Sequence, residues 1–191
     1  MNAKIIKIGI NIKSNSILIN KYCQTNVKGV YAIGDVTTTP CLAHKASYQG
    51  NIAAEAISGK DVTKFLKEEN IPGCTYSNPQ IASIGLTEEN AIKLGYELNI
   101  GNFPFIGNGK ALAMGEEEGF VKTIFDKKTG ELLGAHMVGA EVTELLSTYI
   151  VGKGLETTPE DFASNNFPHP TMSEMLHESV LSSQNLSLIH I

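Results

Sequence analysis

The segment Phe167-Pro168-His169-Pro170-Thr171-Met172-Ser173-Glu174 holds the one histidine of the sequence that is framed by prolines. Proline fixes its own φ and pushes the preceding residue toward extended backbone, so His169 is expected at the mouth of a helix rather than on its face. Imidazole is the side chain whose ordinary pKa best suits proton transfer near neutrality, and a carboxylate within reach fixes its tautomer and stabilises the imidazolium. Glu174 is the candidate carboxylate. Thr171-x-x-Glu174 is also a capping box, in which the glutamate would close a helix start and do no chemistry. Spacing alone leaves the two readings level.

A second candidate is Asp35. It follows Gly29-Val30-Tyr31-Ala32-Ile33, an apolar run of the kind that forms a buried strand, and Gly34. A carboxylate at the carboxyl end of such a strand stands where open α/β sheets bind ligands and can accept hydrogen bonds from sugar hydroxyls, although a Gly-Asp that only turns the chain would look the same. The helix expected from Leu42 adds unpaired N–H groups, which suit a phosphate or the negative charge of a reduced flavin. Two other patterns carry no site. Glu174-x-x-His177 has the spacing of a di-metal carboxylate helix but no second copy, so no metal is expected. Gly107-Asn108-Gly109 lacks the third glycine of a dinucleotide fingerprint and reads as a loop.

The elements that must position these groups follow from periodicity. Ile5 to Ile12 and Ser16 to Ile19 are strand-like. Leu42, Ala46, Gly50, Ala53, Ala54 and Ile57 recur at helical spacing, and Ser58-Gly59-Lys60 stops that helix. Asp61 to Glu69 reads as a charged, exposed connection. Strands are expected at Ile81 to Leu86, Tyr96 to Phe103, Gly119 to Phe125 and Leu132 to Val138, the last two joined by a hairpin at Asp126-Lys127-Lys128-Thr129-Gly130. Thr87 caps a short helix to Leu94. Further helices run from about Ala140 to Gly152, from Pro159 through Ala163, and from Met172 to about Ser183. Strands followed by helices, without strict alternation, give an α+β domain from about Ile71 onward.

The chain has 191 residues, a formal net charge of −5 and no arginine. That balance argues against nucleic acid as a partner and leaves lysine as the only strong cation. No apolar run approaches the roughly 20 residues that span a bilayer, and Met1-Asn2-Ala3-Lys4 is not followed by a secretory apolar stretch, so a cytoplasmic location is expected. Cys23, Cys41 and Cys74 have neither redox nor zinc spacing and read as free thiols.

Taken together, the motifs resemble the flavin-dependent pyridine nucleotide-disulfide oxidoreductases. Thr25 to Asp35 is similar to the family's second flavin motif, and Leu42-Ala43-His44-Lys45-Ala46 to the start of the helix beside the flavin. His-Pro-Thr-x-Ser-Glu is similar to its catalytic His-Glu pair. The resemblance implies an α+β dimerisation domain over 70–191, preceded over 1–69 by a remnant of the nicotinamide and FAD-binding α/β domains. It implies that Asp35 meets the ribityl chain of FAD, that backbone at Ala43 meets the flavin ring between Leu42 and His44, and that His169 and Glu174 are the catalytic pair. Met175-Leu176-His177-Glu178 is similar to the dihydrolipoamide-oxidising branch of the family rather than to its glutathione- or mercury-reducing branches. Implied partners are a second copy of the chain, the missing N-terminal half, and the lipoyl domains of 2-oxo acid dehydrogenase complexes, with NAD as the final acceptor. The glycine-rich flavin fingerprint, the Cys-x4-Cys pair and the nicotinamide domain of that family have no counterpart here. A truncated product, a split gene, an excised fragment, a stand-alone dimerisation module without catalysis, or part of a related disulfide reductase of glutathione or mercuric type are the readings left open.

Overall fold

In a computed structural model, residues 8–63 and 65–187 are described, and the chain divides into two compact units, Met1–Glu68 and Glu69–Ile191. The second unit is built on a five-stranded antiparallel sheet. Its strands are β3 (Gly73–Thr75), β4 (Gln80–Gly85), β5 (Leu98–Pro104), β6 (Phe120–Asp126) and β7 (Leu132–Gly139), in the order β3-β4-β7-β6-β5. The β6–β7 hairpin forms where the turn signal stood. Asp126 closes it by accepting from the Lys128 N–H, the Thr129 N–H and the Thr129 hydroxyl, and Gly130 takes the positive φ that the turn requires.

Alternation along the strands decides which face is covered. Ala82, Met137, Val121 and Phe103 lie opposite one another across four strands and are all buried. The next row, Ile81, Val138, Phe120 and Pro104, points to the other face, where Ile81 and Phe120 are exposed. The buried face joins one core with Val142, Leu146, Tyr149, Phe162, Met172, Met175, Leu176 and Val180. These come from α4 (Val142–Leu145), α5 (Ser147–Gly154), α6 (Pro159–Ala163), α7 (Glu174–Ser183) and the residues between them. A further short helix, α2 (Glu88–Lys93), is capped by the Thr87 side chain on the Asn90 N–H, as expected.

α7 sits close on the sheet because β5 carries a glycine there. Ser179, fully buried, lies 3.1 Å from Thr123 Oγ1 through its hydroxyl, and the Thr123 hydroxyl also reaches the Ser179 carbonyl. Tyr149, buried in α5, donates its phenol to the Leu176 carbonyl. Both bonds satisfy polar atoms that would otherwise be costly to bury, and both fix the rotation of α7 about its axis.

In the first unit, β1 (Ile12–Lys13) and β2 (Ser16–Ile17) form a hairpin; Ile5 to Lys7 lie outside the described residues. The helix α1 spans Ala43–Ile57. Here the structure departs from the sequence-based expectation in several places. Gly29 to Ile33 is not a strand: it makes one antiparallel bridge, Tyr31 to Gln24, and Ile33 is exposed. A strand exists only by pairing, and an apolar run signals burial without naming its partner. The 61–69 connection is not fully exposed, since Val62 is buried and Phe65 and Leu66 pack with Ile52 and Ala53 of α1. In the second unit, the helix read over 140–152 is two helices that meet at Leu146. Gly73–Thr75 is an additional strand, and Gly107-Asn108-Gly109 is not merely a loop. Asn108 caps α3 (Gly109–Met114), its side chain accepting from the Ala111 N–H.

Candidate functional site

His169 ends an irregular segment that follows α6, and Glu174 opens α7. Their side chains meet, with His169 Nδ1 2.9 Å from Glu174 Oε1, while the other carboxylate oxygen, Oε2, accepts from the Thr171 N–H at 2.8 Å. One carboxylate therefore does both of the jobs that its spacing allowed. Only half of a capping box is present, because the Thr171 hydroxyl does not serve the N–H groups of α7. It donates to the Pro168 carbonyl at 2.6 Å and lies 2.8 Å from the Ser173 hydroxyl. Backbone amide and carboxylate thus lock the two ends of the His169–Glu174 turn together.

The electrostatics follow from this geometry. Partial burial pushes the Glu174 carboxyl up, but the Thr171 N–H bond and then the His169 ring outweigh it, and the net effect holds the group below the usual carboxylate range. Glu174 is therefore an anion at neutral pH and can only accept. His169 Nδ1 must carry the proton of the shared bond, which leaves Nε2 with the lone pair. The ring itself is 77 % exposed, against 26 % for the Glu174 side chain. It borders a cleft of about 290 Å³, lined also by Phe103, Asn108, Asn165, His177 and Glu178. This is an imidazole anchored on one nitrogen and exposed at the other.

The first unit assembles the other candidate residues. Gly34–Val36 is a single 3₁₀ turn, with Gly34 at positive φ and the Thr37 hydroxyl donating to the Gly34 carbonyl at 2.6 Å. Asp35, on that turn, is exposed. Leu42 is the extended residue before α1 and offers no side-chain cap, so the N–H groups of the first turn, at Ala43 and His44, receive none from it. Asp35 and this helix start fit one edge of a flavin site: an exposed carboxylate that can accept from hydroxyls, and the positive end of a helix that suits an anion.

Two residues that the sequence reading did not single out hold that edge in place. Lys45 and Gln49 are 2 % and 5 % exposed on the inner face of α1. Lys45 Nζ donates to the Thr38 carbonyl, and Gln49 Oε1 accepts from the Gly34 N–H at 2.7 Å, so the two side chains clamp the backbone on either side of Asp35. The residues that α1 buries are Lys45, Gln49, Ile52 and Ala53; of the face expected from periodicity only Ala53 is among them, and Ile57 is 63 % exposed. An apolar pattern misses a helix face that is buried to make polar contacts. The usable signal was a Lys and a Gln at i, i+4 in line with Ile52.

The model of the pyridine nucleotide-disulphide oxidoreductase dimerisation domain matches residues 71–180, and a second model, pyridine nucleotide-disulphide oxidoreductase, matches residues 2–50. The chain belongs to this family. It is an α+β dimerisation domain preceded by a segment of the FAD-binding domain. The dihydrolipoyl dehydrogenase of Zymomonas mobilis is 56 % identical over 187 residues, which is 98 % of this chain and 40 % of the relative; that of Rhizobium etli is 52 % identical over 174 residues, 91 % of this chain and 36 % of the relative. This chain thus spans about 40 % of the length of such relatives. Among solved structures, LpdA of Mycobacterium tuberculosis superposes with a TM-score of 0.87 at 24 % identity, over 92 % of this chain and 38 % of that one. The flavoprotein disulfide reductase RclA of Escherichia coli gives 0.83 at 22 %, over 92 % and 40 %. These two bear on the fold. Among the described residues no helix is long and apolar enough to cross a membrane, and no group of three or more His, Cys, Asp or Glu is placed to hold a metal.

Proposed function

We propose that this chain supplies the acid/base pair and the dimer surface of a dihydrolipoyl dehydrogenase, which oxidises dihydrolipoamide on the lipoyl domains of 2-oxo acid dehydrogenase complexes with FAD and NAD. The observation that carries the reading is the double engagement of Glu174, on the Thr171 N–H and on His169 Nδ1, which leaves His169 Nε2 as the basic atom. A thiol with a pKa near 8.5 is a poor nucleophile at neutral pH until its proton is removed. His169 Nε2 takes that proton from the dithiol substrate, and Glu174 stabilises the imidazolium that results. Exposure of the ring suits a base that must reach a thiol brought by another chain. The thiolate would attack the redox disulfide that the N-terminal half of the enzyme would bring, and Asp35 with the start of α1 would hold one edge of FAD, which would supply the route for the dithiol's electrons from that reduced pair to NAD.

The reading is tested by producing the chain together with the part of the Zymomonas mobilis relative to which it does not align. Reduction of NAD by dihydrolipoamide is expected from the pair and from neither part alone, and His169→Gln should remove it. Assembly into a dimer without turnover would instead favour a dimerisation module with no chemistry of its own.

A further inference from the structure

Glu174 is held by a helix, whereas His169 stands at the end of the irregular segment 164–168. In that segment Ser164, Asn165, Asn166 and Pro168 are exposed, and Phe167 is half-buried against the main core. The other side of Phe167 is met by His177. The two rings stack with centroids 5.0 Å apart and planes 24° from parallel. His177 lies three residues beyond Glu174, on the same side of α7, and both border the same cleft. Its Nε2 is 3.3 Å from the Ala163 carbonyl at the end of α6. A carbonyl only accepts, so Nε2 is the protonated nitrogen. One side chain of α7 therefore grips the segment at both ends, by a hydrogen bond at Ala163 and by a stacked ring at Phe167, two residues before His169.

We propose that His177 is a positioning residue for the His169 base, acting through Phe167 to keep Nδ1 on Glu174. The proposal rests on the reading of His169 as the base. Glu174 fixes where the ring must be, but of the segment's backbone only Ser164 and Asn165 bond back to α6, at the Glu160 and Phe162 carbonyls, and residues 166–168 bring the ring there without ladder or helix bonds. Loss of the stacked partner gives Phe167, and the Pro168–His169 backbone behind it, rotational freedom. His169 then spends part of its time away from the carboxylate, in a tautomer that Glu174 does not enforce, and Nε2 is no longer reliably the lone-pair nitrogen.

The test reads the tautomer of His169 directly. Imidazole ¹⁵N spectra of the whole chain are taken at about pH 9, well above the ordinary histidine range, for the wild type and for His177→Ala, His177→Gln and His177→Phe. The wild type should hold His169 as the Nδ1–H form. His177→Ala and His177→Gln should shift the ratio toward Nε2–H by about 2- to 10-fold, the equilibrium worth of one aromatic pair. His177→Phe, which restores a stacked ring without the Ala163 bond, should return most of it. If His177→Ala fails to fold, the contrast of Gln with Phe carries the same comparison. An unchanged tautomer in the Ala and Gln variants, or no recovery with Phe, overturns the positioning role while leaving the acid/base pair standing. A wild type with no Nδ1–H preference overturns the pair itself, and this proposal with it.

Discussion

Gly101 in β5 and Ser179 in α7 meet backbone to backbone: a Cβ built on Gly101 would stand 1.8 Å from the Ser179 carbonyl oxygen. No side chain fits in that gap. α7 therefore approaches the sheet at a distance set by a missing methyl group, and it carries Glu174 at its first turn. Gly101→Ala should push α7 outward and cost about 1–3 kcal/mol, as overpacking does in a tight core, read as a lower urea midpoint. The same variant should disturb the His169–Glu174 contact, read as a change in the His169 ring resonances. A neutral melt would show that the sheet and helix can part without cost.

Glu174→Gln separates the two tasks of the carboxylate. The amide oxygen can still accept from the Thr171 N–H, so the melting temperature should barely move. The amide N–H₂ must then face His169 Nδ1, which makes Nδ1 an acceptor and moves the ring proton to Nε2. In the assembled enzyme, dihydrolipoamide turnover should fall by about 10²-fold, the lower end of what general acid–base catalysis contributes. Normal turnover would reduce Glu174 to a helix-start residue.

Acid should weaken the second unit through depressed carboxylates. In Glu174 the Thr171 N–H and the His169 ring outweigh burial; in Asp161 the hydrogen bonds to Thr158 outweigh it. A carboxyl whose folded pKa lies below its unfolded value stabilises the fold above the unfolded pKa and loses that contribution as pH falls through the folded one. The urea midpoint should therefore be level above about pH 5 and decline below it. The double variant Asp161→Asn, Glu174→Gln should show a shallower decline between pH 5 and pH 3, ranges estimated from the ordinary carboxylate values. Equal slopes would assign acid sensitivity to other groups.

Gln49→Leu should loosen the turn that presents Asp35. The substitution keeps the bulk of the side chain but leaves the Gly34 N–H without its acceptor, at a cost of about 1–3 kcal/mol for an unsatisfied buried donor. Hydrogen exchange at the Gly34 amide should accelerate accordingly. Protection as strong as in the wild type would mean that Gln49 is a spectator.

How far the sequence reached depended on the kind of contact that decided each element. β6, β7 and the hairpin between them follow from alternation and from turn chemistry at Asp126 to Gly130, both local signals, and the structure places them within a residue or two of expectation. Thr87 and Pro159 marked helix starts for the same reason. The buried face of α1 was misread because its inner contacts are polar, and the Gly29–Ile33 run because burial was taken for pairing. At the candidate site, the prolines placed His169 at the mouth of a helix and the spacing offered Glu174 as its carboxylate, and the two side chains do meet; these local signals say nothing of how the carboxylate is shared. They could not show that capping and ring contact use different oxygens of Glu174, since that depends on where the Thr171 hydroxyl turns. The stack of Phe167 on His177 joins residues ten apart on two different elements, beyond any periodic pattern.

The division of labour within the Glu174 carboxylate links chemistry to fluctuation. When the first turn of α7 frays, the Thr171 N–H releases one oxygen and the imidazole loses its anchor at the other. The fraction of time for which the His169 ring is anchored then follows the fraction for which a single turn of helix is closed. Protection of the Thr171 amide against solvent exchange becomes a gauge of how often the ring is held, and for the proposed base warming should release it by local opening before the sheet beneath it melts.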